Sequence, residues 1–223
     1  MRTKVLLGLA ALAVGLSTSV AQNVYSLNVV GYVNVSLQQN KLSFLSLPLA
    51  PVDGNYAVGN TIVLDSGNGA QDFANLYSWN VASQSWNPAL TWLSGAWDTP
   101  SQVISNGVGF FIVSVTNSTL TFVGQVPQGA LQYNVPAGVS TLANQVPVST
   151  NFPGSGAAFL GHDFDNLYTW DQAGQQWGPG ATFLSGAWDT ASPNGPMLNP
   201  GDAVFYANGG PAAIPFTQNF TVQ

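Results

Sequence analysis

One segment occurs twice, and it governs what this chain can become. Residues 72–99 read DFANLYSWNVASQSWNPALTWLSGAWDT and residues 163–190 read DFDNLYTWDQAGQQWGPGATFLSGAWDT, displaced by a constant 91 positions without a gap. Of the 28 positions 18 are identical, among them Leu76/Leu167, Tyr77/Tyr168, Trp79/Trp170, Trp86/Trp177 and the run LSGAWDT. All seven Trp of the chain lie inside the two copies. The duplication predicts two like folding units built around these aromatic hairpins.

The period of the apolar residues gives the fold class. Tyr25, Leu27, Val29, Val33, Val35 and Leu37 fall on one face of an extended segment and Ser26, Asn28, Asn34 and Ser36 on the other. Period two is the signature of a strand. This strand carries no charge, so its six apolar residues are candidates for strand pairing with another chain if the edge is open. The ordinary alternative is the first strand of its own sheet. Residues 42–49 form a short apolar run ending near Pro48, with a counterpart at 139–146 displaced by 97. The changed offset marks loops of unequal length on a common scaffold.

Residues 61–64 read as a short strand. Within the duplicated block, residues 75–79 form a strand, 80–83 a turn and 84–87 the return; the second copy has Asp171 first and Gly174 fourth at its turn, as a type I turn prefers. Ser94-Gly95 and Ser185-Gly186 predict a second tight turn in each copy. Residues 106–115 read as a turn feeding a fully buried strand, and 119–126 as an alternating strand with Leu120, Phe122 and Val126 inward. Residues 199–206 and 214–222 repeat these two elements. No stretch after residue 21 shows apolar residues at helical spacing with caps. The expectation is an all-β chain of two tandem, similar antiparallel β-sandwich or barrel-like repeats, over residues 22–126 and 127–223.

Residues 1–21 are read as a cleaved signal peptide. Arg2 and Lys4 precede an apolar run over 5–16 that is too short to remain as a membrane span, and Ser19-Val20-Ala21 supplies the small residues of a cleavage site. The expected address is extracellular or cell-surface, or the periplasm. The whole chain carries Lys+Arg 3 against Asp+Glu 9. Loss of Arg2 and Lys4 leaves 3 − 2 = 1 base against nine Asp, a net charge of 1 − 9 = −8. Such a surface repels phosphate backbones and argues against nucleic acid as a partner. Without cysteine there is no disulfide framework. No later stretch is long and apolar enough for a membrane helix.

Taken together, Pro48-Leu49, the Tyr77 to Asn80 hairpin with Trp86, Gly107 to Phe111 and Thr119 to Gly124 form a pattern that resembles modules of exported, uncharacterised bacterial surface proteins. They run from a Pro-Leu strand through a Tyr-x-Trp-Asn hairpin to Gly-x-Gly-Phe-Phe. The second copy departs from the pattern at Gln145 and at Gly201-Asp202-Ala203. The resemblance implies an extracellular β-module used as an accessory or surface domain, with no catalytic residues.

Little in the sequence favours catalysis. His162 is the only histidine, no cysteine is present, and no G-x-S-x-G turn nominates a serine. Ile62 to Gly67 is similar to the Asp-Ser-Gly turn of aspartic proteases, whose chemistry needs a second facing carboxylate. The corresponding stretch, 157–162, has no such turn. Asp65, Asn68 and Asp72 supply oxygen ligands suited to calcium, which makes a structural calcium the one cofactor considered, although the spacing is not that of an EF-hand. Trp79, Trp86, Trp97, Trp170, Trp177 and Trp188 are candidate ligand-stacking residues, with core packing as the competing role. The functional expectation is a non-catalytic exported surface or matrix β-protein acting by protein-protein or strand-strand association, its partners further copies of itself or other surface proteins. A carbohydrate-binding module, with polysaccharide as partner, is the alternative; a hydrolase comes third.

Overall fold

The computed structural model describes residues 29–64, 69–153, 157–159, 161–189 and 194–222. The first repeat consists of β1 (Val30–Leu37), β2 (Leu42–Ser46), one helical turn α1 (Val58–Thr61), β3 (Asn75–Asn80), β4 (Ser85–Trp86), β5 (Leu90–Leu93), β6 (Ala96–Trp97), β7 (Gly109–Val113) and β8 (Ser118–Gln125). The second consists of β9 (Gly129–Val135), β10 (Gly138–Leu142), β11 (Thr150–Asn151), β12 (Ala157–Phe159), β13 (Asn166–Asp171), β14 (Gln176–Trp177), β15 (Ala181–Leu184), β16 (Ala187–Trp188), β17 (Met197–Leu198), β18 (Val204–Asn208) and β19 (Ile214–Phe220). Residues 1–21, together with Tyr25 and Leu27, lie outside the described residues.

The two halves share one topology. A sheet in the order β2-β7-β3-β5-β6, with β4 on β3, is matched by β10-β18-β13-β15-β16, with β14 on β13. The first and last strands of each half pair antiparallel as a second layer, β1 with β8 and β9 with β19. The chain is therefore all-β and duplicated, as its sequence predicts. Strand β1 is the first of its own sheet.

Alternation places the core. Val33 and Val35 of β1, with Leu37, pack with Leu120 and Phe122 of β8 against Leu45, Leu76, Phe110 and Ile112 of the facing sheet. Trp92 and Trp97 close this core edge to face, ring centroids 5.3 Å apart, and the Trp97 indole N–H donates to the Ile62 carbonyl at 2.7 Å. In the second repeat Phe183 and Trp188 take the same places. The predicted turns form: Ser94-Gly95 and Ser185-Gly186 all have positive φ, the requirement of a type I′ hairpin. Asn80 and Asp171 each accept two backbone N–H groups of the turn they open, an Asx turn.

Two elements differ from the sequence reading. Residues 61–64 are not a strand; Thr61 ends α1, and Ile62 N–H still bonds the Val58 carbonyl at 2.9 Å. In the second repeat the corresponding stretch is β12, added to β19. The reason is that Ala50 occupies the free side of β8, exchanging two backbone hydrogen bonds with Gln125. Strand β9 has no place in the sequence reading, although Leu131, Tyr133 and Val135 alternate.

That Ala50 contact leaves no room for a side chain on β8. A Cβ added at Gly124 would lie 2.3 Å from the Ala50 carbonyl oxygen, whereas one added at its cross-strand partner Gly31 would meet nothing closer than 3.6 Å. Gly124→Ala is expected to destabilise the chain by about 1–3 kcal/mol, and Gly31→Ala by less than about 0.5 kcal/mol. Urea unfolding of the two variants checks the difference.

Candidate functional site

Each sheet has a second buried face, and there the two repeats meet. On β3 Leu76 and Ser78 face the core of the repeat while Tyr77 and Trp79 face the other repeat; on β7 Phe110 and Ile112 face the core and Phe111 the seam. The run of apolar residues at 109–112 is thus buried on both sides.

The seam is reciprocal. The Trp79 indole N–H donates to the Val139 carbonyl at 2.8 Å, and Trp170, its duplicate, donates to the Leu42 carbonyl at 3.0 Å. Gln84 clasps the backbone of Val139 through both ends of its amide, at 2.7 and 3.1 Å. Gln175 does the same to Leu42, at 2.8 and 3.0 Å. Ser46 N–H bonds the Gly201 carbonyl and Ala143 N–H the Gly107 carbonyl. Contacts in which residue i meets the duplicate of j, and j the duplicate of i, define an isologous two-fold interface. Gly109 and Ala203 are duplicates that meet each other, since a Cβ at Gly109 would lie 2.7 Å from that of Ala203. The pseudo-two-fold axis passes between them.

Aromatic rings fill the seam in the same paired manner. Phe111 contacts Trp170 at 5.1 Å and Trp177 at 5.8 Å, while Phe205 contacts Trp79 at 5.2 Å and Trp86 at 6.2 Å. The aromatic symmetry breaks at Phe44. Phe44 stacks on Phe111 at 4.5 Å, and the second repeat has Thr141 in its place. On one side the rings open into a groove of about 380 Å³ lined by Leu42, Tyr77, Trp86, Phe111, Val113, Trp170 and Trp177. No lining residue is charged.

The six sequence-predicted stacking residues therefore divide. Trp97 and Trp188 are core residues, 2% and 4% exposed, and present no face to a ligand. Their position beside a tight turn left that unmarked; each packs into the apolar core of its repeat, against Trp92 and Phe183 respectively. Trp79 and Trp170 are half-buried with their N–H groups committed across the seam. Trp86 and Trp177, 38% and 39% exposed, border the groove. Tyr77 and Phe111, which the sequence reading did not nominate, complete it.

The strand-pairing candidates also rearrange. Leu37 is buried, Val33 and Val35 are half-buried against the core, and Val29 lies at the margin of exposure. The side chains presented outward are the even-numbered ones, Val30 at 57% and Tyr32 at 74%, opposite Gln125 and Val123. Period two decides this, because the chain can bury only one of the two phases against Leu120 and Phe122.

For calcium, Asp65 and Asn68 lie outside the described residues. Asp72 accepts the Ser94 N–H at 2.7 Å, and its duplicate Asp163 accepts the Ser185 N–H at 2.7 Å. No group of three metal-ligating side chains occurs among the described residues. His162 and Asp165 belong to a structural tie. Asp165 is fully buried and accepts hydrogen bonds from the Tyr206 hydroxyl, the Gly209 N–H and the His162 N–H. Burial first, then the Asp165 carboxylate, push the Tyr206 phenol far above its ordinary range, so it stays a donor. Among the described residues no helix is long and apolar enough to cross a membrane. No protein-family model, curated protein or solved structure matches this chain.

Proposed function

We propose that this protein is a non-catalytic, exported β-protein of the cell surface or extracellular matrix that works by association, its first partner being a second copy of the chain. The observation that carries this reading is the outer face of the β1–β8 pair. There Val30, Tyr32 and Val123 are 57%, 74% and 66% exposed. Their neighbours on that face, Asn34, Ser36, Thr119, Thr121 and Gln125, are all uncharged. Natural sheets usually blunt an edge with lysine, proline or another charge, and β1 carries none of these. Among the described residues β1 pairs with β8 alone.

The duplicate surface has a different character. The β9–β19 pair carries Ala130, Gln132 and Asn134 opposite Asn219, Thr217 and Pro215, so of the two pairs the β1–β8 pair is the one with an apolar outer face. One such face per chain favours a closed two-fold pair over an open filament.

Light scattering after size exclusion tests this on the chain lacking residues 1–21. The wild type is expected to associate. Tyr32→Lys with Val123→Lys is expected to weaken association by at least about tenfold, since each side chain loses a burial term of about 1.5 kcal/mol or more. Its circular dichroism should match the wild type. A wild-type chain that stays monomeric at all concentrations refutes the proposal.

A further inference from the structure

The groove at the seam has a chemistry of its own. Its aromatic walls come from both repeats, Tyr77, Trp86 and Phe111 from the first and Trp170 and Trp177 from the second. The rings stand nearly at right angles, Trp170 at 77° to Trp177 and at 80° to Phe111. These edge-to-face contacts fix the rings in non-coplanar orientations around the groove.

Besides the Tyr77 hydroxyl, the polar side-chain groups on the lining are the indole N–H donors of its tryptophans, of which that of Trp170 is committed to the Leu42 carbonyl. A sugar brings many hydroxyls, and a site that selects one needs polar groups converging on it. The neighbouring amides of Gln84 and Gln175 are both held by backbone across the seam. With no carboxylate or amide on the lining, the groove suits a ligand recognised by ring faces more than by converging hydrogen bonds. Ring faces carry negative potential and attract a cation within about 6 Å, and an enclosure of such faces is how quaternary ammonium groups are bound. The chain carries a formal net charge of −6, which favours cations and opposes anions at long range.

We infer that the seam groove is an aromatic cage for a quaternary ammonium group of a small molecule, as in choline or its phosphate ester. Trp86 and Trp177 act as the outer walls, their exposed faces closing on the methyl groups.

Titration of intrinsic tryptophan fluorescence with choline chloride tests the inference, alongside three comparisons. The first is 3,3-dimethylbutan-1-ol, which has the same shape without the charge; the second is cellobiose; the third is sedimentation with phosphatidylcholine vesicles. Choline is expected to bind about tenfold more tightly than the neutral alcohol, and cellobiose not at all. Sedimentation with vesicles assigns the source to a lipid headgroup, and its absence beside choline binding assigns it to a free small molecule. Trp177→Ala should weaken choline about tenfold or more. Trp177→Phe, which keeps the packing, should weaken it by a smaller factor, so a folding defect in the alanine variant does not remove the test. The Tyr32→Lys variant should bind choline like the wild type, which separates this site from the association face. Equal binding of choline and the neutral alcohol, binding of cellobiose in preference to choline, or no choline binding overturns the inference.

Discussion

Replacing Asp165 with alanine is expected to destabilise the second repeat by about 3–5 kcal/mol, the range for removing one partner from a buried charged network. Asp165 is inaccessible to solvent and accepts three hydrogen bonds, from the Tyr206 hydroxyl at 2.5 Å and the Gly209 and His162 N–H groups at 2.7 Å each. Alanine leaves all three donors without their acceptor. The first repeat shows how the same place is filled without a charge. Ala74 stands where Asp165 does, Ile112 where Tyr206 does, and Gln71 where His162 does. There the Gln71 side-chain oxygen accepts the Val115 N–H at 3.2 Å, the counterpart of the Gly209 N–H. Transplanting all three, His162→Gln with Asp165→Ala and Tyr206→Ile, should therefore recover most of the loss. Urea unfolding of the single and triple variants measures both effects. A single variant as stable as the wild type would show that the tie is not needed.

The same tie has a signature at high pH. Because the Tyr206 phenol is raised above its ordinary value of 10.0, the folded state keeps a proton that the unfolded chain gives up. That contribution is fully present below pH 10 and is lost as pH rises above it. Tyr56 and Tyr133 shift in the same direction through burial. The alkaline loss of stability should accordingly be reduced in Tyr206→Phe and not abolished.

Most of the architecture was legible in the sequence because each cue was local. Alternation along 119–126 specified which residues of β8 point inward. Ser-Gly pairs specified the tight turns, and an unbroken duplication specified that one description serves twice. What the sequence left dark involves surfaces that meet across long separations. Nothing near Phe110-Phe111 says that one ring belongs to the core of its repeat and the other to the seam. Nor does any local pattern tell Trp86 from Trp97: both close a hairpin, both are duplicated, and only the partner surface makes one a groove wall and the other a core residue. The one cue to the seam was the NGVGFFIV run, too apolar on both phases for a sheet with a single covered face. Gln84 and Gln175 have φ of 51° and 54°, a conformation no sequence rule assigns to glutamine, and it aims their amides at the opposite repeat.

The seam gives the second large effect. Trp79→Ala with Trp170→Ala removes both indoles that reach across the pseudo-dyad, together with their edge-to-face contacts to Trp86, Phe205, Trp177 and Phe111. Each truncation alone is expected to cost about 2–3 kcal/mol, below the range for a fully buried core aromatic because both indoles are half-buried. The two should not add, because both act on the same interface. Trp→Phe at either site should cost far less. It loses the N–H bond, but the Val139 and Leu42 carbonyls each still accept an amide proton from Gln84 or Gln175. The form of the transition carries the sharper test. With the seam intact, the repeats share buried surface and should unfold together, so circular dichroism and tryptophan fluorescence follow one urea curve. In the double alanine variant each repeat keeps its own core, built on Trp92 and Trp97 in one and Phe183 and Trp188 in the other. The two probes are then expected to separate, since the cores differ in composition and no longer stabilise each other. A double variant that still unfolds in a single transition at the wild-type midpoint would mean that the reciprocal contacts of the two tryptophans contribute nothing to holding the halves together.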